Sequence, residues 1–143
     1  NKICCEIDCL TAVMKCHPND GTVLVPAFEA TSNILRLLLE KFWESSKLTA
    51  CCSRFFQACI FAMQLSIYPY ISPLIDVTIL MQKMRPYSSE FFKDIYHQLV
   101  VVFTKQKPKT YEEQDMLVNY QNALSTQITR GLLQIPPPND PST

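Results

Sequence analysis

Side chains able to bind a metal ion cluster near the amino end of the chain, at Cys4, Cys5, Cys9, Cys16 and His17. Zinc–sulfur bonds are about 2.3 Å long, so all the ligands of one ion must converge on one point. In a helix, Cys5 and Cys16 would lie about 16 Å apart along the axis and could not share an ion. A site built on Cys5 and Cys9 would need further ligands, such as Cys51 or Cys52, and the spacing matches no zinc-finger pattern. We therefore expect no metal site, and thiols that are buried or half-buried in helices.

A thiol nucleophile needs a neighbouring base, and the chain has only two histidines, His17 and His97. Neither lies in a signature that activates a cysteine. His97 follows Asp94 by three residues, which is typical of a surface pair on a helix. The adjacent Cys51 and Cys52 lack the C-x-x-C spacing of a redox motif. The sequence therefore predicts no catalytic residue and no enzymatic activity.

Glycine is scarce, with two glycines against ten prolines. With glycine only at Gly21 and Gly131, no glycine-rich phosphate-binding loop can exist, and we expect no nucleotide or other cofactor. All-β folds need many turns with positive φ, so the composition favours helices joined by proline-containing loops. The charges of the 13 basic and 13 acidic side chains cancel, so the formal net charge is zero. A broad nucleic-acid-binding surface is therefore not expected.

The seven cysteines are an odd number and fall in apolar stretches, unlike a disulfide framework. This favours a reducing compartment, so we expect a cytoplasmic or nuclear protein. The chain begins at Asn1 without a signal peptide, which suggests a piece of a longer protein. The most apolar stretch, 55–71, is interrupted by Gln57, Gln64 and Pro69, so we expect a buried central helix and no membrane span.

Apolar residues recur every three to four positions in six segments, which predicts an all-α fold of about six helices. The predicted helices cover residues 3–17, 26–44, 49–67, 72–84, 88–104 and 110–133. Pro26 and the Ser72–Pro73 pair suit helix starts, and Thr110 with Glu113 forms a capping box. We expect a single domain over 1–134, either a compact bundle or three stacked HEAT-like hairpins, and a proline-rich tail or linker over 135–143.

The spacing also predicts which faces are buried. In the first segment, Ile3, Ile7, Leu10 and Met14 share one side of a helix. In the second, the polar stripe from Glu29 to Glu44 predicts exposure of that side. The opposite side carries the predicted core residues Phe28, Leu35, Leu38, Leu39 and Phe42.

Without catalytic motifs, the sequence favours a non-enzymatic module for protein–protein interaction or scaffolding, with another protein or a larger complex as its partner. Large aromatic side chains at segment ends can anchor an interface, and the candidate partner-binding residues are Trp43, Tyr68, Tyr70 and Tyr87. The alternative is a helical carrier that binds a lipid or another apolar small molecule. Its pocket would be lined by Phe55, Phe56, Phe61 and Met63. Self-association is a third expectation, because an excised helical array exposes apolar surface.

Overall fold

The computed structural model describes residues 2–18, 21–86 and 90–134. The described chain is all-α and compact, as expected, and contains no strand in these ranges. Its helices are α1 (Lys2–Lys15), α2 (Gly21–Lys41), α3 (Ser46–Met63), α4 (Ile71–Met84), α5 (Glu90–Thr104) and α6 (Tyr111–Leu132). A 3₁₀ segment, Gln64–Tyr70, joins α3 directly to α4, so these three elements form one long helical stretch. The predicted tail 135–143 and the predicted caps Ser88 and Ser89 lie outside the described residues.

Helix α3 is the centre of the bundle. It packs against α1, α2 and α5, and 12 of its 18 residues are buried. Phe55 and Phe56 are 1% exposed, and Ile60 is fully buried. This confirms the expectation of a buried central helix and fits its nearly continuous apolar surface.

The contacts between helices fit both predicted arrangements. In stacked hairpins, each helix packs on its hairpin partner and on the equivalent helix of the neighbouring hairpin, two helices further along the chain. Here α1 packs mainly on α3, and α4 packs mainly on α6. Arg130 of α6 supports the second contact through an ion pair with Asp76 of α4 at 2.7 Å. The fold is therefore compact and all-α, and the HEAT-like arrangement stays a prediction.

Two predicted helix starts are wrong. Helix α2 begins at Gly21, five residues before Pro26, and Pro26 lies exposed inside the helix. A proline there removes one backbone hydrogen bond near the helix start, a loss that the rest of α2 tolerates. Helix α4 begins at Ile71 rather than at the Ser72–Pro73 pair, because the 3₁₀ segment runs directly into it.

The predicted end of the central helix is also displaced. Helix α3 stops at Met63 because Gln64 adopts φ 53°, a region that favours glycine. The Gln64 side chain supports this turn: its amide nitrogen donates to the Phe61 carbonyl, and its amide oxygen accepts from Gln106 Nε2 at 2.9 Å. The strained turn therefore redirects the chain just before the two candidate tyrosines.

The start of α6 agrees with the predicted capping box. The Thr110 hydroxyl accepts from the Glu113 amide at 3.1 Å. The Glu113 carboxylate accepts from the amide of Lys109 at 2.8 Å, one residue before the N-cap. These two bonds satisfy the amide of Glu113 in the first turn and the amide of Lys109 just before the helix.

A candidate binding groove beside the 3₁₀ segment

The structure brings together two of the four predicted partner-binding residues. Tyr68 and Tyr70 both lie in the 3₁₀ segment and are half-buried. Trp43 follows the end of α2, is 38% exposed, and lines neither of the cavities beside the tyrosines. Tyr87 lies outside the described residues. The four residues are therefore not shown to form one surface.

Tyr68 contacts a residue that the sequence did not single out for binding. Its ring stacks on Tyr120 of α6, with centroids 3.9 Å apart and planes inclined by 21°. The two rings border a cavity of about 410 Å³. Exposed Met116, one turn before Tyr120, forms part of its wall. Only the packing of α6 across the 3₁₀ segment could reveal this pairing.

Tyr70 packs toward α2 instead. Its ring meets Phe28 edge to face, at 5.2 Å between centroids, and its hydroxyl donates a hydrogen bond to Glu29. This bond to the carboxylate raises the pKa of Tyr70. Tyr70 thus separates the first cavity from a second one of about 250 Å³ between α2 and α4.

The two cavities share Tyr70, and we call them together the tyrosine groove. Its walls are mostly apolar, and polar side chains of α2 stand at its edge. The apolar wall includes Val25, Phe28, Leu65, Leu74, Val77 and Met116, and the polar edge includes Glu29, Ser32, Asn33 and Arg36. Such a surface can take up the apolar side chains of a peptide and form hydrogen bonds with the peptide backbone. An apolar interior with a polar edge is the usual composition of a recognition site.

Gly21 lies where the start of α2 approaches the 3₁₀ segment. A Cβ atom on Gly21 would lie 2.6 Å from Ser66 Cβ and 2.8 Å from the Met63 carbonyl oxygen. Only glycine therefore allows α2 to approach the 3₁₀ segment so closely. The role of Gly21 in the structure is therefore one of packing.

The cysteines divide into two groups, and all seven are free thiols. The predicted burial is confirmed for Cys51, Cys52 and Cys59. It is wrong for Cys5 and Cys9, which are exposed on α1, and for Cys16, which is exposed just after the end of that helix. The reason is that α1 lies on the surface and buries only one narrow side against α3. Burial first, and then the neighbouring Cys4 thiol, raise the pKa of Cys51 to about 11.

The described residues contain no group of three or more His, Cys, Asp or Glu side chains placed to hold a metal ion. His97 and Asp94 both lie exposed on α5. Asp94 also borders a polar depression between α3 and α5, of about 270 Å³. In this depression the Arg85 guanidinium donates to the hydroxyls of Ser46 and Thr49 at 3.1 and 3.2 Å.

Two stretches of the described chain are long and apolar enough to cross a bilayer by length and composition alone. The first is α2, with a mean hydropathy of 1.3 and 22% of its apolar window buried. The second is the joined stretch Ser46–Met84, with a mean hydropathy of 1.4 and 50% of its apolar window buried. The core position of α3 accounts for the second, while α2 carries its apolar residues largely on the outside. The absence of a membrane span stays a prediction.

Comparison of the chain with protein-family models, with curated proteins and with solved structures gives no significant match.

Proposed function

We propose that the protein is a non-enzymatic interaction module, and that its tyrosine groove binds a short segment of another protein. The observation that carries this proposal is the pair of adjoining cavities on either side of Tyr70, apolar inside and polar at the edge. Tyrosine suits such a site because its ring gives a large rigid contact and its hydroxyl tolerates water.

The size of the cavities supports a peptide rather than a whole small molecule. Pockets that enclose drug-sized ligands measure about 300–1,000 Å³ and bury most of the ligand. The two cavities, at about 250 and 410 Å³, lie below and near the lower end of that range. Each therefore has room for one or two apolar side chains of a bound segment, and the edge formed by Glu29, Asn33 and Arg36 can meet its backbone.

The carrier alternative stays a prediction without support from the packing. Phe55 and Met63 are each 1% exposed, lie in the core and line neither cavity of the groove. Phe56 is also 1% exposed, and it borders the cavity between α2 and α4. Phe61 is 50% exposed and points away from that core. Native mass spectrometry tests this alternative, because a carrier should retain an apolar ligand through purification.

The groove is tested with peptides selected from a random display library on the immobilised protein. The variant is Met116→Glu, which places a charge on the groove wall at a side chain already 45% exposed. The matched control is Val118→Glu on the same helix, 41% exposed and outside both cavities. We expect the dissociation constant of selected peptides to rise by about tenfold or more for Met116→Glu. It should stay unchanged for Val118→Glu.

Tyr70→Phe is a second and milder variant, because it keeps the ring on Phe28 and removes only the bond to Glu29. Failure to select any binding peptide would argue against the proposal. Selected peptides that bind equally to the wild type and to Met116→Glu would do the same.

A further inference from the structure

The outer face of α2 is apolar and uncovered. Three large side chains on it are well exposed: Val23 at 72%, Ile34 at 58% and Leu37 at 66%. Ala27 and Ala30 lie between them and are also exposed. We call Val23, Ala27, Ala30, Ile34 and Leu37 the α2 seam. The five positions are separated by 4, 3, 4 and 3 residues, which is the spacing of a helix-pairing stripe.

The seam is distinct from the face that α2 turns toward the core. At about 100° per residue, the seam positions fall within a narrow arc, and the buried residues Leu24, Phe28, Leu35 and Leu39 lie on the far side of the helix. The seam is distinct from the tyrosine groove as well, since none of its five residues lines either cavity. Neither the core nor the proposed function accounts for it.

The seam is its own complement about a two-fold axis through Ala30. If a second α2 lies antiparallel, Ala30 meets its own copy and Val23 meets Leu37, while Ala27 and Ile34 come within one residue, about 1.5 Å along the axis, of the same level. Each Ile34 thus lies against a small alanine, and the alanines allow the two backbones to approach closely. A parallel pair would set Ile34 against Ile34 and leave a gap at the two alanines.

We propose that the α2 seam binds a second copy of this chain, and that two α2 helices pair antiparallel in a symmetric dimer. The electrostatics are compatible with this occupant. No seam position is charged, so the pairing sets no like charges against each other. The antiparallel arrangement also places the positive end of each helix dipole beside the negative end of its partner.

The size of the seam sets the strength of the dimer. A helix of 21 residues is about 31 Å long and offers one narrow stripe. A stable interface buries about 800 Å² on each partner. One stripe of this length buries an area at the low end of the range found in protein–protein interfaces. We therefore expect a dissociation constant on the order of micromolar.

Sedimentation velocity of the intact chain, from about 1 to about 100 µM, measures this equilibrium. The wild type should pass from monomer to dimer across the range. Ile34→Glu should remain monomeric, with dimerisation weakened by about 100-fold or more, because the charge would be buried against Ala27 of the partner. Val118→Glu adds the same charge on α6, at a side chain 41% exposed and outside both the seam and the groove, and should dimerise like the wild type.

The antiparallel register has its own test, in a chain whose exposed Cys5, Cys9 and Cys16 are replaced by serine. A mixture of Ala27→Cys and Ile34→Cys proteins should be joined efficiently by a short bis-maleimide. Ile34→Cys alone should be joined poorly, since the two copies of residue 34 lie on opposite sides of the axis. Efficient joining of Ile34→Cys to itself would overturn the antiparallel arrangement.

A bilayer is the other surface that an apolar helix face could meet, and flotation with neutral phosphatidylcholine vesicles distinguishes it. Wild type that stays monomeric at every concentration overturns the proposal. Wild type that floats while Ile34→Glu does not, with no dimer in solution, assigns the seam to a membrane instead. The groove can fail independently, because Met116→Glu should dimerise normally and Ile34→Glu should still bind groove peptides.

Discussion

Helices α2 and α3 have similar apolar content but very different surroundings. In α3, 12 of 18 residues are buried, whereas in α2 only 5 of 21 are. The difference arises because α3 has neighbours on three sides, α1, α2 and α5, and α2 has neighbours on one side only. An apolar side chain on α3 therefore contributes to folding, while half of those on α2 remain available for contact with something outside the fold.

The largest expected effect is a contrast between two leucines of α2. Leu39 is fully buried and Leu37 is 66% exposed, two residues away on the same helix. Leu39→Ala leaves a cavity against α3 and should lower the free energy of unfolding by about 2–5 kcal/mol. Leu37→Ala should change it by less than about 0.5 kcal/mol. Urea denaturation, monitored by circular dichroism, measures both values.

The measurement is made below the dimer dissociation constant, so that loss of the α2 seam does not contribute. Equal losses for the two leucines would mean that the outer face of α2 is covered within the monomer. The division of α2 into a core face and a free face would then be wrong.

The sequence predicts the existence and type of the helices well, because their apolar spacing is a local property. It predicts the capping box at Thr110 and the helical state of Val100–Val102 for the same reason. The face of α1 is less predictable, since apolar and thiol side chains surround that helix. The predicted side included Ile3 and Leu10, which are 36% and 43% exposed, whereas Cys4, Ile7, Thr11 and Met14 form the buried side.

The candidate groove was predictable in part. Tyr68 and Tyr70 could be found because they flank Pro69 at a break between helices. Tyr120 and Met116 could not, because their approach depends on how α6 crosses the 3₁₀ segment about 50 residues away in sequence. The predicted core side of α2 is confirmed for Phe28, Leu35 and Leu39, but it is wrong for Phe42, which is 43% exposed just after the end of the helix. Periodicity identifies apolar positions but not whether a neighbour exists to cover them.

The second expected effect concerns the point where α2 is fixed to the joined stretch. Gly21→Ala should destabilise the fold by about 1–3 kcal/mol, because the new methyl group would overlap Ser66 and the Met63 carbonyl. In a Ser66→Gly background the loss should shrink but persist, since the carbonyl remains at 2.8 Å from the Cβ position. A double-mutant cycle in urea gives the coupling between the two residues. Stabilisation by Gly21→Ala alone would show that the start of α2 is not held against the 3₁₀ segment.

The smallest effect follows from the thiols of α3, which the core encloses. Burial raises the pKa of Cys59 above its ordinary value of 9.0, and that of Cys51 to about 11. Above pH 9 the unfolded chain releases these protons while the folded chain retains them. The unfolded state then binds fewer protons, so stability falls as pH rises between about 9 and about 11. Below pH 9 these thiols are protonated in both states, so they do not make the free energy of unfolding depend on pH.

Replacing one buried thiol should therefore reduce the loss of stability at alkaline pH. At pH 10 the decline from pH 8 should be about 1 kcal/mol smaller in Cys59→Ala than in the wild type. Cys9→Ala, a matched change on the exposed side of α1, should leave the decline unaltered. The comparison uses the slope with pH rather than the stability at one pH, because Cys59→Ala also removes a packed side chain. Identical slopes for the two variants would mean that water reaches the thiol of Cys59, and the enclosure of α3 would then be less complete than its packing indicates.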